Sequence, residues 1–107
     1  MALHNQQWNS AGLAAVHAAI SAADAAIVAS SGRRSASKDH MEAVELMRSL
    51  VPEAAATQER QLTGLLSMKN TIEYEQRLVT PVEAKTLTEQ AGRLVRWATT
   101  VVADHVD

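Results

Sequence analysis

The sequence predicts an all-α domain of four helices, packed as an antiparallel up-and-down bundle. Three observations predict it. The composition is 47% hydrophobic and rich in alanine, while the aromatics are only Trp8, Trp97 and Tyr74. Alanine favours helix, whereas strands recruit aromatic and β-branched residues. Only two prolines and four glycines interrupt the chain, and apolar residues recur at three- and four-residue spacing, as one buried helical face requires.

The first helix is expected from about Asn9 or Ser10, either a good N-cap, to about Ser31, with Gly32 as its stop. Leu13, Val16, Ile20, Ile27 and Val28 form its apolar face. The polar run Gly32-Arg33-Arg34-Ser35-Ala36-Ser37 reads as a loop, from which Ser37 can cap a second helix carrying Ala43, Val44, Met47 and Leu50 inward. Pro52 closes that helix, because the residue before proline avoids the α region. A third helix spans roughly Ala54 to Tyr74, with Leu62, Leu65, Leu66 and Ile72 inward. The fourth has the clearest start: Thr80-Pro81-Val82-Glu83 joins an N-cap threonine, a proline at the first helical position and a capping-box glutamate. Its buried stripe is Leu87, Ala91, Leu94, Ala98 and Val101. Short connections between helices of similar length imply antiparallel neighbours. The whole chain, 1–107, reads as one domain with its core at about 9–104.

Charge and composition limit the function classes. A net charge of −2 gives no global pull toward nucleic acid or anionic membrane, though a local basic patch is compatible with it. The absence of cysteine excludes disulfides, thiolate metal sites and a cysteine nucleophile. The opening MALHNQQWNS lacks the basic-then-apolar pattern of a secretory signal. The alanine-rich stretch Ala11 to Ala29 contains His17 and Asp24 and reads as core rather than as a membrane span. A cytoplasmic protein without membrane attachment is the expectation.

Polar residues that break the apolar stripes are the candidate functional groups. His17 and Asp24 are seven residues apart on one helical face, too far to bond directly, with Ser21 between them. Lys69 falls between Leu65 and Ile72 on the apolar face of the third helix, where a lysine must snorkel, find a carboxylate or border a cleft. Asn70, Glu73 and Tyr74 flank the same end, and His40 stands beside Asp39 in the first turn of the second helix. A histidine in a bundle is commonly a satisfied core or surface residue, and a lysine stem commonly packs beneath a solvated head. Zinc pairs on a helix use i,i+3 or i,i+4 spacing, which His17 and Asp24 lack. Neither a metal nor a cofactor is expected.

Taken together, the string His17 to Ala25, then Gly32-Arg33-Arg34-Ser35, Asp39-His40 and Lys69-Asn70-Thr71-Ile72-Glu73-Tyr74-Glu75 resembles the HEPN superfamily. Those are small helical domains linked to nucleotide binding and RNA processing. The segment Ala84 to Trp97, with Ala91, Arg93 and Trp97 before an apolar tail, fits as well, and the likeness covers roughly residues 8 to 105. RNA-cleaving members carry an arginine and, four to six residues later, a histidine, paired across a dimer cleft. Here Lys69 or Asn70 stands in the arginine region and Glu73 or Tyr74 where the histidine would be. Lysine is a point charge where arginine offers a planar fork, and an unperturbed tyrosine stays protonated near neutrality. The resemblance therefore implies a homodimer that binds nucleotide or RNA without cleaving it, possible company being a nucleotidyltransferase partner. Lys69, Asn70, Arg33 and Arg34 would meet phosphate, with Asp24, Asp39, Glu73 and Tyr74 beside them. A purely structural interaction module is the alternative. A metal-independent ribonuclease of a toxin–antitoxin system is the third reading, with His17, His40 or Tyr74 as its catalytic candidates. Family bundles generally carry a further helix before the one bearing His17, so Trp8 and Leu3 are expected at a partner contact.

Overall fold

The computed structural model describes residues 2–33, 41–74 and 78–105. Four helices follow in order: α1 (Ala2–Ser31), α2 (Glu42–Leu50), α3 (Ala56–Tyr74) and α4 (Pro81–His105), and no strand occurs among the described residues. The all-helical expectation holds.

Local chemistry explains most boundaries. α1 ends where Gly32 takes the left-handed conformation, at φ 72°, and donates its amide to the Val28 carbonyl at 2.8 Å. The Ser31 hydroxyl satisfies the Ile27 carbonyl at 2.6 Å and accepts the Arg33 amide at 3.1 Å. α2 stops at Val51, whose extended φ of −112° is what the following proline requires. At the head of α3 the Ala55 amide donates to Oε1 of Gln58 at 2.9 Å. The capping box of α4 is reciprocal: the Glu83 amide donates to Oγ1 of Thr80, and the Thr80 amide to Oε1 of Glu83, both at 3.1 Å. Thr80→Ala should therefore cost about 1 kcal/mol, read as a lower urea midpoint; an unchanged midpoint would contradict the cap.

α1 starts earlier than expected. It is already helical at Ala2, so Asn9 is an interior residue rather than an N-cap. The Asn9 side chain instead reaches 70 residues along the chain, and its Oδ1 accepts the Val79 amide at 2.6 Å. That amide lies just before α4 and is partly buried, so Asn9→Ala should cost about 1–3 kcal/mol by leaving it unsatisfied. Asn9→Asp should retain most of the stability in a thermal melt. Ser37, expected to cap α2, lies outside the described residues.

The up-and-down order needs correction. α1 makes its most extensive contact with α4, and the two run in the same direction. Trp8 and Ala11 stand beside Pro81 and Thr88, Ala18 beside Val95, and Ala25 beside Val102. α3 is antiparallel to both. Ile72, near its end, packs with Val79 and Ala84 and lies over Gly12, while Glu53, just before its start, bonds His105 at the end of α4. The cause is α2. Its nine residues span only about 14 Å, too little to traverse the length of the 30-residue α1. The chain therefore enters α3 at the end where α1 finished, and three long helices run up, down and up.

One core unites all four helices, with Val16, Ala19, Ala23 and Ile27 of α1, Val44 and Met47 of α2, Leu62 and Leu65 of α3, and Leu94 and Val101 of α4. Ala19, Ala23 and Ala26 are fully buried, and their size lets α1 approach its neighbours closely. A second, smaller cluster of Ile72, Val79 and Ala84 is closed by Trp8, Ala11 and Leu13. Trp8 is thus half-buried within its own chain, and its remaining surface lines a shallow pocket with Pro81 and Lys85; the side chain of Leu3 is outside those described. The stretch Gln7–Ser31 is long and apolar enough to cross a membrane by length and composition, but in this compact fold its inner side packs against α2, α3 and α4.

Candidate functional site

Two regions carry the candidate residues: the end of α3 and the outer side of the α1–α4 pair. On α3, Lys69 stands on the apolar face, and its side chain is only 15% exposed. Its Nζ donates to Oε2 of Glu73 at 2.8 Å, one turn on. Of the outcomes open to a lysine there, the stem packs and the ammonium meets a carboxylate. Asn70 is exposed beside it, and Tyr74 ends the helix with a side chain outside those described. No side chain of Asp24 joins this pair. Asp24 lies twelve residues, about 18 Å, along α1 from Gly12, the residue that faces Ile72.

Lys69→Met should therefore shift stability by no more than about 0.5–1 kcal/mol, since a pair with one partner a third exposed is largely screened. Lys69→Ala should cost more, about 1–2 kcal/mol, because it removes the packed methylenes. Equal losses in the two variants would contradict the packed-stem account.

The other expected site residues do not converge on Lys69. His17, Ser21 and Asp24 are all exposed on α1, without a hydrogen bond or ion pair among the described residues. Arg33 is exposed just past the C-terminus of α1, at the opposite end of the bundle from the Ile72 cluster. Arg34, Asp39 and His40 lie outside the described residues. Among the described residues no polar or charged residue is buried as a whole, the Ser30 hydroxyl oxygen being the one buried side-chain polar atom without a hydrogen-bond partner, and no three His, Cys, Asp or Glu side chains converge. Two exposed side-chain contacts tie the connections instead. His105 Nε2 meets Glu53 Oε2 at 3.0 Å, and Arg48 of α2 donates to Glu59 of α3. That hydrogen bond, seconded by the Glu59 and Glu45 charges, holds the Arg48 guanidinium above its ordinary pKa.

The second region was missed in the sequence. The outer side of α1 and α4 forms a shallow apolar seam, lined along α1 by Ala11, Ala14, Ala18, Ser21 and Ala25. Thr88, Gly92, Val95, Thr99 and Val102 line it along α4, and α2 and α3 contribute nothing. Trp8, Pro81 and Lys85 extend it at one end. Val95 is 38% exposed in its middle. The signal was present as two seven-residue repeats, Ala11-Ala18-Ala25 and Thr88-Val95-Val102. His17 and Asp24, which looked like interruptions of a buried face, each precede an alanine of the first repeat and form its rim.

Comparison with models of protein families, with curated proteins and with solved structures finds no match to this chain.

Proposed function

We propose that this chain is a HEPN-like helical module that works by association, first with a second copy of itself, and performs no catalysis of its own. One observation carries the reading: the longest helix pair leaves a continuous apolar seam that no helix among the described residues covers. An exposed apolar strip of that length marks an interaction surface. Of the catalytic candidates, His17 adds no support for a ribonuclease, being solvated on the seam rim with no acid, base or phosphate ligand bonded to it among the described residues, while His40 and the Tyr74 side chain lie outside those described. A nucleotidyltransferase, the partner the resemblance implies, would be a second client of the same module.

Nucleotide or RNA binding is the second reading, favoured by the exposed cations Arg33, Lys85, Arg93 and Arg96. Lys69 supports it less, its charge being met by Glu73. Two measurements separate the readings. Light scattering of purified protein should give about twice the 11.5 kDa chain mass; a monomer at high micromolar concentration would contradict self-association. Fluorescence anisotropy with labelled single-stranded RNA should show no cleavage. Salt-dependent binding that Arg33→Glu abolishes would make RNA the ligand.

A further inference from the structure

We infer that the α1–α4 seam is the homodimer interface, with two copies stacked face to face about a two-fold axis parallel to the helices. This rests on the self-association proposed above and assigns it a surface.

The parallel course of α1 and α4 sets up the fit. Their repeats stand level: Ala11 with Thr88, Ala18 with Val95, Ala25 with Val102. A two-fold along the helices keeps every level and exchanges α1 for α4. Each copy then lays Val95 and Val102 over Ala18 and Ala25 of its mate, and receives the same contact in return, as an isologous interface requires. Large side chains meet small ones at the seven-residue spacing that packs parallel helices knob into hole. Valine against valine, or alanine against alanine, would do neither.

The rims agree with that arrangement. His17 and Asp24 edge the alanine row, and Glu89 and Arg96 edge the valine row. Across the interface Asp24 stands five residues, about 7.5 Å, beyond the level of Arg96 of the second copy. Glu89 and His17 share the same offset. Flanking charges of parallel paired helices bridge such an offset with long side chains. In the single chain the Arg96 guanidinium folds back over Gly92, with Nη1 3.3 Å from the position a Cβ would take. Gly92 gives it room there, and its flexible end is free to swing to Asp24 of the mate.

The size is sufficient. The fourteen helical steps from Ala11 to Ala25 span about 21 Å, and two adjacent helices are about 20 Å wide. With the Trp8–Lys85 extension, the pair of copies covers about 1,000 Å², the lower bound for a specific interface.

Sedimentation equilibrium with seam variants tests this. Val95→Glu and Ala18→Glu alter exposed positions, so circular dichroism and the melting curve should stay native while dimerisation weakens at least about tenfold, a charge being placed in an apolar contact. Asp24→Arg and Arg96→Asp should each weaken it about threefold, and the double swap should restore it, the scale expected of a rim pair. A native dimer that persists in both glutamate variants would overturn this interface and leave self-association standing through another face. A monomeric wild type would overturn both, leaving the seam to a helix of another protein. Loss of fold in either glutamate variant would contradict the exposed seam itself.

Discussion

Leu94→Ala is expected to lower the unfolding free energy by about 3 kcal/mol, the largest effect of any single truncation proposed for this chain. Leu94 is fully buried near the middle of α4, where a core otherwise rich in alanine has few large side chains. Removing three methylene-sized groups there forfeits their burial and leaves a cavity between helices that are already close. α1 cannot collapse into it, since Ala19 and Ala23 offer no longer side chain to fill the space. A loss of this size should move the melting temperature by well over 10 °C in a domain of this length. A loss under about 1 kcal/mol would mean that the α1–α4 contact is loose and that the seam geometry built on it does not hold.

Ala19→Leu is expected to cost nearly as much, about 2–3 kcal/mol, from the opposite cause. Ala19 has no exposed surface, and its methyl group sets how closely α1 approaches its neighbours. Leucine there gains apolar area on paper at little cost in helix propensity, but has to push a helix outward against the whole packed interface. The same substitution at exposed Ala14, on the seam, should be tolerated within about 0.5 kcal/mol. Urea denaturation of the two variants reads the contrast. Equal tolerance at positions 14 and 19 would contradict the assignment of inner and outer sides of α1.

What the sequence revealed, and what it hid, follows from the range of the interactions involved. The cap of α4 was legible because Thr80, Pro81 and Glu83 act on amides three residues away. Gly32 and Pro52 were legible for the same local reason. The start of α1 was not, because Asn9 suits an N-cap equally well, and its true partner, the Val79 amide, is brought to it only by the folded chain. The direction of α4 relative to α1 depended on α2 being only nine residues long, a length that no local signal in the sequence fixes. The position of Lys69 on an apolar face is legible in the sequence, and of the outcomes open to it there the fold supplies a carboxylate, Glu73. His17 and Asp24 misled because α1 is alanine-rich nearly all round. Its buried and outer alanines look alike in sequence, so a rim resembles a broken core stripe. Arg33 and Lys69 seemed to share a phosphate site, but helix lengths set them toward opposite ends of the bundle.

Hydrogen exchange of the wild-type chain at rising concentration tests the central claim, that the outer α1–α4 face is where this protein associates. Between about 1 and 100 µM, peptides covering Ala11–Ala25 and Thr88–Val102 should gain protection together as the dimer fills, while α2 and α3 change little. Protection that rises on α3 instead, or that stays independent of concentration throughout α1 and α4, would contradict it.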